Sequence, residues 1–504
     1  MKKLSILFLS VICIFALASC NDFLDMRSTN SIDTDGSITT VTDADVAING
    51  LVREMLSASL YGKNVFLYAD AKGGDFAVVS SGRGNDVLYT FEHSASSGSY
   101  SDYWNVGFKC ITQINDVLSS IAKVEAGGSL EDFSYEKGQL YTYRAMIYYD
   151  LVRMYGKDYA YDKSALAVPL VTEALASDAK PSRATVEEIY TQIVSDLTTG
   201  AGLIGKTMKN GFANYWSNRA IMARVDMSMQ QYADALKICQ EIIASKKFSL
   251  YSNDDWVSSW SKQFGSESIL ELTVNDTEAD LVKSSLGITT ARKGDYSKMA
   301  PGYFVASDFW LKRMKEDPTD IRWGVMSYDE ISKTRMGACY KYLGGVTMKG
   351  DGKASGTAVN IKLIRLSEIY LIAAEAAFRT GNKSAANGAA YYLNQIRKRS
   401  PLLNKTPIDE TTVTLDLILS EKSKELFGEG QRYWDMIRCN QTIFYNDDIE
   451  GGEGKLSHPG RPTYVNPVTK EEYSSIDRTY PKAILPISEG NIITDGNLVQ
   501  NPGY

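Results

Sequence analysis

This 504-residue chain has very few imidazoles for chemistry: His93 and His458 are its only histidines. A His-rich metal site, or a mechanism needing two imidazoles, is therefore nearly excluded. Neither H-E-x-x-H nor G-x-S-x-G occurs, so hydrolase readings lack local support. One segment, Gly200-Ala201-Gly202-Leu203-Ile204-Gly205-Lys206-Thr207, fits both the Walker A spacing and G-x-G-x-x-G. A phosphate loop must follow a strand and open a helix, so that backbone N–H groups and the helix dipole face the phosphate. Here a helical pattern ends just before Gly200 and Met208–Gly211 continues as loop, so the glycines read as a helix stop. Paired carboxylates for glycoside hydrolysis also lack a signature, because most acids lie on helical faces or in loops. The run Asn446-Asp447-Asp448-Ile449-Glu450 clusters the oxygens calcium uses, but its spacing is not that of an EF-hand loop. It reads as a solvated loop, and neither a metal nor another cofactor is expected.

The residue with the clearest chemical assignment is Cys20. Basic Met1–Lys3 precede an apolar stretch, Leu4–Leu17, that is too short to span a bilayer and suits a signal-peptide core. Leu17-Ala18-Ser19-Cys20 follows and resembles the bacterial lipobox, in which the cysteine thiol receives diacylglycerol. The reading is a signal peptide over 1–19, lipidation of Cys20 and a Ser/Thr/Asp-rich tether over 20–42. No later apolar run reaches 18 residues, which predicts a protein anchored to a membrane, not spanning it. Cys110, Cys239, Cys339 and Cys439 form no C-x-x-C, and the first two sit in helical patterns that favour buried free thiols. A net charge of −7 and a pI near 5.3 offer no field for nucleic acid. The 31 tyrosines, against 16 Phe and 7 Trp, lean toward wet recognition surfaces.

The elements that would position such a surface are mostly helices. Trp104, Phe108, Ile111, Ile114 and Val117 follow helical spacing over 102–121, and a second helix is predicted over about 135–155. Val186, Ile189, Tyr190, Ile193 and Leu197 mark a third, opened by a capping box of Thr185 and Glu188. Two helix pairs resemble tetratricopeptide units: Tyr215–Ser245, broken at Gln230-Gln231, and Leu363–Arg399, broken at Gly381-Asn382. Between 246 and 360 the pattern changes to a short strand at Ser268–Thr273 and glycine-rich loops such as Gly344–Gly356. The expected organisation of 43–504 is one mainly α domain. Its helical scaffold covers about 43–245 and 361–440, with a loop-rich insert over about 246–360 and an irregular C-terminal wrap over 441–504.

An ordered set of motifs resembles the SusD/RagB family of outer-membrane nutrient-binding lipoproteins over essentially the whole chain. The set opens with Asn21-Asp22-Phe23-Leu24-Asp25 after the lipobox, Trp104 with Ile111 and Asn115, and Arg144-Ala145 leading to Tyr155-Gly156. It continues with Arg183-x-Thr185 through Asp196-Leu197, then Arg365–Leu371 with Ala374-Glu375-Ala376, and Leu393–Arg397. Glu421, Glu425-Leu426, Glu429-Gly430, Arg432, Trp434-Asp435 and Arg438 follow. The chain closes on Leu485-Pro486-Ile487 and Gln500–Tyr504. Lys422 and Ser488 depart from residues common in that pattern. The resemblance implies tetratricopeptide-like helix pairs with a large irregular half, and a lid over a SusC-like TonB-dependent transporter. It further implies capture of a glycan without catalysis; a peptide-binding RagB-like role and a purely structural lid are the alternatives.

Ligand contacts are expected in loops, while Arg365, Glu375, Glu421 and Arg432 are read as buried ion pairs between helices. One candidate region runs from Tyr68 to Tyr103 and holds Asp75, Arg83, Asp86 and Tyr100, with Trp104 suited equally to helix packing and to sugar stacking. The other is Lys293-Gly294-Asp295-Tyr296 with Tyr303. Trp256 and Trp260, four residues apart, could form a two-ring platform, but burial habits favour the core.

Overall fold

The computed structural model of the chain describes residues 38–78, 86–96, 101–176, 178–278, 285–443, 464–465, 470, 472–473 and 476–504. Cys20, the tether up to residue 37 and the Asn446–Glu450 run lie outside these residues. The architecture is mainly helical, and the strands among the described residues are short and form two-stranded antiparallel sheets.

Local sequence explains where the long helices begin. Thr40 and Asp43 cap each other at the start of the Val41–Met55 helix. Thr185 and Glu188 do the same for Val186–Leu203, where Glu188 Oε2 accepts from Thr185 N at 2.8 Å. Asn214 accepts from the Trp216 and Ser217 amides and opens Tyr215–Ser228. The Ser101–Ala126 helix buries Trp104, Ile111, Ile114 and Ile121 along one face.

The Ser134–Tyr155 and Val186–Leu203 helices pack closely because glycines meet at their crossing. A Cβ added to Gly138 would lie 2.6 Å from the Ile204 backbone, and one on Gly200 would lie 3.1 Å from the Gly138 carbonyl. The helix therefore runs through Gly200 and Gly202 to Leu203, beyond the stop expected from the sequence. Gly200 thins the helix surface for its neighbour, Gly202 faces open space, and neither ends the helix. Across the same interface Arg144 donates to both Asp196 oxygens at 2.8 and 2.7 Å, and to Asn115 Oδ1 at 2.7 Å. One guanidinium thus ties together three helices.

Tyr215–Ser228 packs on Tyr232–Ala244, which packs on Leu366–Arg379, and that helix packs on Ala389–Arg397. Arg224 links the first and second pairs by a two-pronged ion pair to Glu368, both contacts at 2.6 Å. The second pair begins later than the periodicity suggests, because Ile361–Arg365 is a strand paired with Ser268–Leu272. All five of its residues are buried, so the strand shows no alternation to distinguish it from a buried helix. The 246–360 region also holds more helix than expected. Asn253–Ser259 and Asp308–Lys315 form where Ser252 and Ser307 supply side-chain caps, in runs too short for periodicity to reveal.

Behind this region lies a buried charge network. Arg365 contacts Glu267, Glu425 and Glu429 at 3.0, 3.3 and 2.8 Å, and Arg322 contacts Asp320 and Glu421 at 2.6 and 2.8 Å. Trp256 and Trp260 sit against it, 0% and 1% exposed, with Trp256 Nε1 donating to Glu425. They anchor the core, as their burial habits suggested. Cys110, Cys239 and Cys339 are buried free thiols, and Cys439 is partly buried and free. The C-terminal stretch returns to the N-terminal helices: Leu485 N donates to Met154 O, and Arg183 Nη2 donates to Asn501 Oδ1 at 2.6 Å.

Candidate functional site

The two loop regions expected to meet a ligand are joined by a strand pair. Phe76–Val78 pairs antiparallel with Phe304–Ala306, in the register Phe76 to Ala306 and Val78 to Phe304. Val78 therefore lies opposite Phe304, the residue after Tyr303.

Asp75 sits at the base of this junction, and the structure corrects its expected role. It is 2% exposed; one oxygen accepts from Arg313 at 2.6 Å and faces Arg432 at 3.4 Å, while the other accepts from Ser423 Oγ at 2.6 Å. Its carbonyl accepts from Ser307 N. Ser423 and Arg432 belong to the scaffold and Ser307 and Arg313 to the insert, so Asp75 ties the two together and is not exposed to a ligand. Trp104 is likewise placed in packing, 6% exposed, with Tyr155 edge-on at 5.1 Å and Phe108 at 5.0 Å. Arg83 and Tyr100 lie outside the described residues, and Asp86 opens the short Asp86–Thr90 helix. Tyr303 is half-buried against the core.

Lys293, Asp295 and Tyr296 form a distinct turn. Gly294 has φ 83°, as a glycine readily adopts, but Tyr296, Ser297 and Lys298 follow at 50°, 55° and 66°. Three successive side-chain-bearing residues in the left-handed region cost roughly 1–2 kcal/mol each and persist only where surroundings hold them. Those surroundings are specific. The Tyr296 hydroxyl accepts from Gly356 N at 2.7 Å, and a Cβ on Gly356 would come within 2.7 Å of the tyrosine ring. The Asp295 carboxylate accepts from Tyr340 OH at 2.5 Å and from Arg292 Nη2 at 3.2 Å. Burial, then the bond to Asp295, pushes the Tyr340 hydroxyl above its ordinary range. Lys293 is exposed, and its amide donates to Glu330.

Sequence reasoning missed Tyr328, which is 37% exposed and has the Arg292 guanidinium 4.4 Å above its ring. Arg292 thus connects the Tyr328 ring to Asp295. The Arg292-Lys293 pair beside a glycine turn was a signal for such a cation, but its ring partner is distant in sequence. The cluster offers ring faces, a carboxylate and cations, which can hold a ligand by stacking and hydrogen bonding. Among the described residues no group of three His, Cys, Asp or Glu side chains is placed to hold a metal ion, and no helix is long and apolar enough to cross a membrane.

Ring edges and charged groups displayed on short loops over a helical scaffold are the build of a ligand-binding protein. A family profile described as "SusD family" matches residues 292–504, and one described as "Starch-binding associating with outer membrane" matches residues 22–256. The chain belongs to the SusD family. SusD-like protein P38 of Formosa agariphila is 24% identical over 503 aligned residues, spanning 89% of this chain and 94% of its own. A putative sugar binding protein from Bacteroides vulgatus is 29% identical, with a TM-score of 0.80 over 93% of this chain and 99% of its own. A SusD superfamily protein from Bacteroides thetaiotaomicron is 28% identical, with a TM-score of 0.80 over 92% of this chain and 100% of its own.

Proposed function

We propose that this protein is a glycan-binding lipoprotein of the cell surface, anchored to the outer membrane through Cys20. It captures oligo- or polysaccharide and delivers it to a SusC-like TonB-dependent transporter, without catalysis. The observation that carries the reading is the left-handed turn at Tyr296, held by Gly356 and by the Asp295–Tyr340 bond. Strain retained around one aromatic side chain fixes its ring before ligand arrives, which lowers the ordering cost of binding. Sugar C–H faces stack on such rings, and hydroxyls bond to groups like Asp295 and Lys293. Arg83, Asp86, Tyr100 and Tyr303 complete the proposed contact set, with Tyr328 added and Asp75 and Trp104 assigned to support. A protein of similar fold described as a putative sugar binding protein and a profile described as starch-binding support the glycan class. Weak single contacts gain from repetition along a polymer.

The test is isothermal titration of the soluble chain, begun after Cys20, against plant and host polysaccharides and an oligopeptide pool, repeated with Tyr296→Ala. Saturable heat with one glycan class, weakened roughly tenfold or more by loss of a stacking ring, is the expected result. Heat with peptides alone would replace the glycan reading with a RagB-like one, and silence with every probe would leave a lid without a ligand of its own.

A further inference from the structure

A second set of ligand-competent groups lies away from the Tyr296 turn. The end of the Ser134–Tyr155 helix, the Tyr159–Asp162 turn, the Arg432–Arg438 helix and the stretch around 478–484 enclose a cavity of about 150 Å3. Arg153, Lys157, Arg438 and Arg478 line it, against a single acid, Asp158. The acids that pair with Arg153 and Arg438 are Asp150, Glu375 and Asp435, none of which is among the lining residues. The wall is therefore cationic on the cavity side.

Two polar features distinguish it from a packing defect. Asp158 and Arg478 approach only to 3.8 Å, too far for a hydrogen bond, and neither Asp158 Oδ1 nor Arg478 Nε has a hydrogen-bond partner. The side chain of Asp158 is 6% exposed, and burial lifts its carboxyl to about 6 despite the pull of Arg478 and Arg438. Trp434 is 7% exposed, and its Nε1–H also makes no hydrogen bond. Its ring packs between Tyr68, stacked at 5.3 Å, and the Arg153 guanidinium at 4.2 Å, so the indole is fixed while its donor is unspent. Buried polar atoms without partners are costly, and a ligand that supplies them recovers that cost. At the mouth the Tyr161 ring is 41% exposed, with Lys157 Nζ at 5.4 Å and Arg478 Cζ at 5.6 Å from its centroid.

We propose that this cavity is a second binding site that takes a uronic-acid residue of an acidic glycan. Arg478 grips the sugar carboxylate, Asp158 accepts from a ring hydroxyl, Trp434 donates from the wall, and Tyr161 covers an apolar sugar face. A neutral sugar would leave the Arg478 guanidinium without an anion beyond the distant Asp158, so the site selects for charge. This goes beyond the reading at Tyr296 and uses none of its residues.

The test is titration of the soluble chain with sodium glucuronate and sodium galacturonate, against glucose, galactose and trialanine. Saturable uronate binding should weaken roughly tenfold or more in Arg478→Gln, the scale of one charge-assisted hydrogen bond. Trp434→Phe, which keeps a ring in the packing, should weaken it less but measurably. Lys237→Gln, which removes an exposed cation on another helix, should leave it unchanged. Uronate affinity unaltered in both Arg478→Gln and Trp434→Phe would overturn the proposal. So would neutral sugars binding as tightly as the acids, a preference for trialanine, or no saturable uronate binding.

Discussion

Removing one guanidinium from the helical scaffold should show how much of its stability rests on a single buried pair. In Arg144→Met the side chain keeps much of its length but loses two charge-assisted bonds to Asp196, one to Asn115 and one to the Thr172 carbonyl. Asp196 is 2% exposed and would be left with Gln192 Nε2 as its remaining side-chain donor. An uncompensated buried carboxylate of this kind costs about 3–5 kcal/mol. The double variant Arg144→Met with Asp196→Leu removes that orphan charge, leaving the Asn115 and Thr172 acceptors and the part-buried Gln192 donor unpaired, a loss of about 1–3 kcal/mol. Denaturant unfolding followed by both far-ultraviolet circular dichroism and tryptophan fluorescence gives the comparison, coincident transitions being required before free energies are read. A single variant that loses less than about 1 kcal/mol, or a double variant no more stable than the single, would refute the argument that the pair is held by mutual neutralisation.

The glycine crossing gives opposite signs at neighbouring positions. Gly138→Ala, whose Cβ meets the Ile204 backbone at 2.6 Å, should destabilise by about 1–3 kcal/mol, whereas Gly202→Ala, with nothing within 4 Å, should stabilise by about 0.5–1 kcal/mol; thermal melts decide both. Asp226 is buried, and burial followed by the nearby Asp234 raises its carboxyl from 3.8 to about 7. A raised acid favours the native state at low pH and loses that contribution as pH climbs from about 4 through 7, so Asp226→Asn should gain in melting temperature over wild type at pH 8 and not at pH 4. Glu425 has the opposite sign: burial would raise it, but Arg365, Arg399, Arg322 and Lys341 hold it well below its ordinary 4.5. Its contribution is present above pH 4.5 and lost as pH falls, so Glu425→Gln should be less stable than wild type at pH 7, with the difference shrinking toward pH 2.5 in circular dichroism melts.

The parts of the fold that the sequence made legible are those where one face is buried over several turns. Ile111, Ile114, Ile189 and Ile193 repeat at helical spacing because each helix meets water on its other side, and Thr185 with Glu188 marks a start by chemistry alone. Burial on all sides erases that signal, which is why Ile361–Arg365 resembled the opening of a helix. Gly200 shows a second limit: a glycine that ends a helix and one that admits a neighbouring helix look the same until the neighbour, Gly138, is known. At the candidate site Lys293, Asp295 and Tyr296 were legible as a polar aromatic turn, whereas Tyr328 owes its place to Arg292, which crosses to it from another stretch of chain.

Asp75 joins these two lessons. A carboxylate among glycines looks like a ligand contact in sequence, yet Arg313, Ser423 and Arg432 reach it from the distant half of the chain and bury it. That clamp fixes Phe76–Val78 against Phe304–Ala306 at the Phe76 end of the pair, where the Asp75 carbonyl accepts from Ser307 N. Loops that vary in side chain can then share one frame, because the backbone entering and leaving them is held by groups that no ligand touches. The same division accounts for the Tyr296 turn. Its left-handed residues are unfavourable alone, but the Gly356 amide and the Asp295–Tyr340 bond hold them against a scaffold whose charges are already neutralised from within. Strain at the surface is sustained by satisfied polar groups beneath it, and recognition can change by loop substitution without reopening the core.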